Sequence, residues 1–187
     1  LFVGNSEAVQ ERVAERTLDL GFIESGSPLA SLQSEVCRQD ELQVVCAPTH
    51  PLAKLKSVTP KGLTEHGYIS REPGSGTREV IDHYLQKAGV LPDTMQVVME
   101  LGSPEALKGL VATGLGFAIM SRATVVKETQ LGQLTRIPLS PRLNRHLSVV
   151  FVNIPNVPGI AQQFGDEAAG MLMSQLGNWI NGLLRVE

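Results

Sequence analysis

Cysteine, positive charge and long apolar runs are all scarce in this chain. The two cysteines, Cys37 and Cys46, lack partners at metal-ligand spacing. That excludes a zinc module, and both read as reduced, partly buried thiols of a cytoplasmic protein, with a disulfide between them as the alternative. Lysine and arginine number 16 against 19 acidic residues, a formal net charge of -3. DNA binding by this segment would need a basic stripe, and none is present. No apolar run reaches membrane-spanning length, and no signal peptide is visible. Internal repeats and low-complexity tracts are absent too.

Catalytic motifs are equally thin. The histidines are His50, His66, His83 and His146. None has the spacing of a zinc protease, and no G-x-S-x-G nucleophile motif occurs. No catalytic residue, metal site or cofactor is therefore expected. What is present is the composition of a globular protein, 42% hydrophobic and 19% charged. At 187 residues the chain can bury a full core, as one domain or two small lobes. It opens on "LFVGNS", without a methionine and already inside a strand-like run, so an upstream piece is expected to be missing.

The apolar periodicity alternates between strand and helix. Residues 1–4 read as a short buried strand. Residues 5–17 read as a helix capped by Asn5 or Ser6, and 18–25 as a second strand, a βαβ pattern that implies a parallel sheet. Residues 29–48 suit two strands broken at Gln39-Asp40-Glu41. Thr59 and Pro60 open a short helix over 59–66. Strands follow at 67–70, 95–101, 116–121, 134–139 and 146–154. Helices fall at 77–89 and 103–114, the second capped by Ser103 and ended by Gly114. Helical spacing recurs over 159–184, around Trp179, where Gly165, Gly170, Gly177 and Gly182 interrupt it. The chain is expected to cross between two sheet-forming groups near 67–71 and to return near 145–149. A cleft between such groups is where small ligands sit.

"REPGSGTR" (71–78) is the distinctive stretch. A nucleotide P-loop fails for want of its lysine, and the dinucleotide fingerprint fails because Glu79 stands at the third glycine's place. What survives is the physics of a helix start. Free N–H groups, the close approach that Gly74 and Gly76 permit, the hydroxyls of Ser75 and Thr77, and the charges of Arg71 and Arg78 can hold an anion. The alternative is a capped turn facing solvent. Asn5-Ser6 and Gly102-Ser103 form similar helix starts after strands, where ligands collect in open α/β sheets. Glu24 follows a strand and either lines the cleft or faces solvent. Met120 ends a strand beside the cleft, with core packing as its default.

"LDLGFIE" (18–24), "LQVVCAPTHPLA" (42–53), "ISREPGSGTREVIDHYL" (69–85) and "VVMELGSPEALKGLVATGLGFAIMSR" (97–122) occur in that order. Together they resemble the effector-binding domain of LysR-type transcriptional regulators, in the branch of carbon-fixation and sulfur-assimilation regulators. The resemblance implies an α/β fold of two Rossmann-like lobes with a hinge, similar to type 2 periplasmic binding proteins. Residues 1–69 plus 147–187 would form the first lobe, without its initial strand and helix, and 70–146 the second. It implies an inducer between the lobes, touching Asn5, Ser6, Arg71, Glu72, Gly74, Ser75, Gly76, Thr77, Arg78, Gly102 and Ser103, with Glu24 and Met120 as further contacts. A small anionic effector suits these groups: a sulfur or phosphorus oxyanion or a small carboxylate. Glu72 runs against that reading unless it faces away, binds an arginine, or meets a donor group on the ligand. Effector domains would pair with each other, the full-length protein would be a tetramer, and DNA would be held only through an N-terminal winged helix-turn-helix absent from this chain. A solute-binding protein of the same fold is the alternative. An enzyme on this scaffold lacks its catalytic groups.

Overall fold

The structure, a computed structural model, describes residues 1–152. Side-chain caps set the helix starts. Asn5 Oδ1 accepts from the Ala8 amide at 3.0 Å and opens α1 (Ser6–Ala14). Thr59 with Pro60 opens α2 (Pro60–Leu63), and Ser75 Oγ caps α3 (Gly76–Lys87). Ser103 and Pro104 open α4 (Pro104–Ala112), and a short α5 (Val126–Gln130) follows a turn of 3-10 helix. Each cap satisfies an amide that the first helical turn leaves without a partner. Thr113 closes α4, and Gly114, one residue on, takes a φ of +85°.

The strands are β1 (Leu20–Ile23), β2 (Leu32–Cys46), β3 (Gly67–Arg71), β4 (Gln96–Leu101), β5 (Phe117–Ser121), β6 (Thr135–Ile137) and β7 (Leu143–Val152). They form one sheet in the order β1-β7-β2-β5-β3-β4, with β6 also on β2. The β3-α3-β4 unit is parallel, and β3 also lies parallel to β5. All pairings of β2 are antiparallel.

Period-2 alternation sorts the core onto two faces. Val44, Tyr68, Phe117 and Ile119 pack with Ile81, Tyr84 and Leu85 of α3 on one face. Their neighbours Val45, Ile69, Ala118 and Met120 pack with Leu107 and Val111 of α4 on the other. A separate cluster joins Val9 and Val13 of α1 to Ile23, Leu32 and Val150.

Two expectations are corrected. Residues 1–4 form no strand among the described residues, and Leu1 and Val3 are exposed. A strand needs a neighbour to pair with, and the described partner of β1 is β7, which runs antiparallel to it. The parallel βαβ unit read over 1–25 is thus not formed. Residues 29–48 do not break at Asp40. β2 is one strand of 15 residues, bulged between Val36 and Arg38, and Asp40 pairs in register with Arg145. Within the sheet, β2 changes partners along its length. Leu32–Leu42 pairs with β7, and Leu42–Cys46 pairs with β5, so Leu42 lies opposite both Leu143 and Ser121. The expected helical face over 159–184 lies outside the described residues.

Candidate functional site

The helix starts of α1 and α3 meet across the end of β1. Asn5 Nδ2 donates to the Pro73 carbonyl at 3.3 Å, and the Glu7 amide donates to the Gly74 carbonyl at 3.1 Å. Gly74 can present that carbonyl because its φ is +81°. Ser6 Oγ accepts from the Glu24 amide at 3.1 Å. A methyl group on Gly76 would collide with Ser6 Oγ and the Ser25 amide nitrogen. Glycine at that place is what lets α3 approach β1 so closely. The hydroxyl residues Ser6, Ser25, Ser75 and Thr77 are all buried here.

An ionic chain runs through the same place. Thr77 Oγ1 donates to Glu24 Oε2 at 2.5 Å and accepts from Arg145 Nη1 at 2.7 Å. Arg145 Nη1 also lies 2.7 Å from Glu24 Oε2. On its other side Arg145 meets Asp40 Oδ2 at 2.8 Å, through both Nε and Nη2. Ser121 Oγ donates to Asp40 Oδ1 at 2.8 Å. The Arg145 side chain is 4% exposed. A guanidinium so deeply buried is tolerable only with carboxylates on it. Beside this chain, Ser25 Oγ donates to Glu79 Oε2.

Of the residues singled out from sequence, the structure brings together Asn5, Ser6, Glu24, Gly74, Ser75, Gly76 and Thr77. The charges of Arg71 and Arg78 are already engaged. Arg71 holds Glu72 through two parallel contacts of 2.8 and 3.0 Å, so Glu72 binds an arginine. Arg78 pairs with Glu100 and Asp82 and donates to the Arg71 carbonyl. Burial pushes the Asp82 carboxyl above its usual range, against the pull of Arg78. Gly102 and Ser103 are exposed; Gly102 lies near the Glu72 carboxylate, and Ser103 Oγ accepts from the Ala106 amide. Met120 packs among Val45, Ile69 and Leu107 in the core. Its neighbour Ser121, pointing to the opposite face, is the residue that reaches Asp40.

Arg145, Asp40 and Ser121 were not singled out in advance. The available signal was Arg145 at an inward position of the alternating "LNRHLSVV" strand, where a charge requires a counter-ion. Two cavities flank the cluster. One of about 570 Å³ lies between α1 and α3, lined by Glu7, Glu11, Ser75, Arg78 and Glu79 among others. The other, of about 270 Å³, is bordered by Glu24, Val36, Val80, Asn144, Arg145 and His146 among others. Among the described residues no group of His, Cys, Asp and Glu is placed to hold a metal ion, and no helix is long and apolar enough to cross a membrane.

Residues 1–153 match the family described as LysR substrate binding domain. The chain is 41% identical over 148 residues to the HTH-type transcriptional regulator YeiE of Escherichia coli K12, covering 79% of this chain and 49% of that protein. It is 37% identical over 134 residues to the RuBisCO operon transcriptional regulator of Acidithiobacillus ferrooxidans, covering 72% and 42%. It thus spans about half the length of the curated relatives it matches. Among solved structures, the Synechocystis CcmR regulatory domain in complex with 2-PG superposes with a TM-score of 0.71 at 27% identity, covering 89% of this chain and 79% of that one.

Proposed function

The chain belongs to the family of LysR substrate-binding domains, and from that premise we propose that its effector is a small anion held where α1, α3 and the end of β1 converge. The observation that carries this reading is Thr77. It stands in the first turn of α3, buried, between the Glu24 carboxylate and the Arg145 guanidinium. A helix start, a hydroxyl and a buried guanidinium are the donors that oxyanions and carboxylates require. The 2-PG complex of the CcmR regulatory domain supports the ligand class.

The β1–β7 group and the β3–β5 group are the two lobes, and β2 and β7 cross between them. The effector touches both lobes, favours one closure angle, and changes how effector domains pack in the full-length tetramer. That repacking moves DNA-binding heads that lie outside this chain. The relatives are regulators of transcription, and the reading needs no turnover of the ligand.

The test is a thermal-shift screen of the full-length protein against sulfate, sulfite, thiosulfate, phosphate, sugar phosphates, O-acetylserine and small carboxylates. A ligand of the native state adds about 2.7 kcal/mol of stability at a hundred times its Kd, and so raises the unfolding midpoint. The expected result is a dose-dependent rise that is lost in Thr77→Ala. No rise with any anion sinks the reading.

A further inference from the structure

The charge balance around Arg145 points beyond a simple anion pocket. One guanidinium faces two carboxylates, and the two are not equivalent. Asp40 is 10% exposed, meets Arg145 through both Nε and Nη2, accepts from Ser121 Oγ, and lies opposite Arg145 in the β2–β7 ladder. It is the fixed counter-ion. Glu24 is 38% exposed, follows the last residue of β1, and is held through Oε2 by Thr77 Oγ1 and Arg145 Nη1. Those two donors are the ones an effector oxyanion would use.

We propose that Glu24 is a built-in competitor: in the ligand-free protein its carboxylate occupies the subsite on Arg145 and Thr77 that the effector's oxyanion takes. This deepens the reading above and rests on it. With both carboxylates in place the Arg145 charge is already over-compensated. A third negative charge entering beside them would meet repulsion in a poorly screened site. Binding therefore requires Glu24 to swing out, and the cavity of about 270 Å³ that it borders provides the room.

Two consequences follow. The affinity measured is the intrinsic affinity reduced by the fraction of time the subsite is free of Glu24. The competition also favours doubly charged oxyanions of sulfur or phosphorus over a single carboxylate, which merely replaces like with like.

The experiment is calorimetric titration of the full-length protein with inorganic sulfate and inorganic phosphate, in wild type, Glu24→Gln, Glu24→Ala, Thr77→Ala and Glu24→Gln/Thr77→Ala. Glu24 is over a third exposed, so its variants keep the fold, and a melting curve checks this. The expected result is about tenfold tighter binding in both Glu24 variants, a change of about 1.4 kcal/mol, with Thr77→Ala weakening binding in either background. Wild-type affinity in both Glu24 variants, with Thr77→Ala still weakening, overturns the competitor and leaves the anion site standing. Weaker binding in both Glu24 variants makes Glu24 a ligand contact, which also overturns it. No binding in any variant overturns both.

Discussion

Among the described residues the two sheet groups are packed differently. The β3–β5 group buries apolar side chains on both faces, with Phe117, Ile69, Ile81, Leu85 and Leu107 almost fully enclosed. Among the described residues the β1–β7 group shows one small cluster, Val9, Val13, Ile23, Leu32 and Val150, and leaves Phe22 at 41% exposed. Where the groups meet, at Asn5, Ser6, Glu24, Arg145 and Thr77, the contacts are hydrogen bonds and ion pairs. Apolar burial fixes each group internally. A polar seam can trade its partners for those of a ligand, which suits a sensor.

The largest effects should separate the groups. Phe117→Ala should cost about 3–5 kcal/mol in chemical denaturation, and Ile23→Ala about 2 kcal/mol, because the smaller cluster relaxes more readily. Equal losses would break the contrast. At the seam, Arg145→Met should cost about 3–5 kcal/mol, because it leaves Asp40 buried without its charge partner. A neutral result would mean the network contributes nothing to the fold.

Smaller effects sharpen the picture. Ser75→Ala and Asn5→Ala each remove a cap, and each should cost about 1 kcal/mol in thermal unfolding. Within the β3–β5 group, the hydrogen bond from Lys108 holds the Glu128 carboxyl below its ordinary value near 4.5. A lowered carboxyl contributes stability above its unfolded pKa and loses it as pH falls through the folded one. Glu128→Gln should therefore flatten the acid limb of a plot of Tm against pH, below about pH 4.5. The smallest signal is chemical. Burial pushes the Cys46 thiol up to about 11. A thiol reagent should label the half-buried Cys37 in the native protein and Cys46 only on unfolding.

Local chemistry made much of this legible in advance. The caps at Asn5, Thr59 and Ser103 are short-range patterns, and so is the alternation that places Tyr68 and Ile69 on opposite faces. Asn5, Ser6, Glu24 and the 74–77 turn, drawn from helix starts and from the family resemblance, come together in the structure, although residues 1–4 form no strand before Asn5. What escaped was long-range. Arg145 meets Asp40 across 105 positions, and no local pattern announces that pair. For the same reason the polar run at residues 39–41 read as a break in β2. Its Asp40 is satisfied by a strand that comes much later in the chain. Residues 1–4 failed differently: they have strand character, but pairing depends on a neighbour that composition cannot supply.

The most direct test is a crystal structure of the full-length protein grown with selenate, whose selenium is located by anomalous scattering. The account predicts a peak within hydrogen-bonding reach of Thr77 Oγ1 and the Arg145 guanidinium, with the Glu24 side chain rotated away and Asp40 unmoved. Selenate bound elsewhere, with Glu24 still on Arg145 and Thr77, would contradict it.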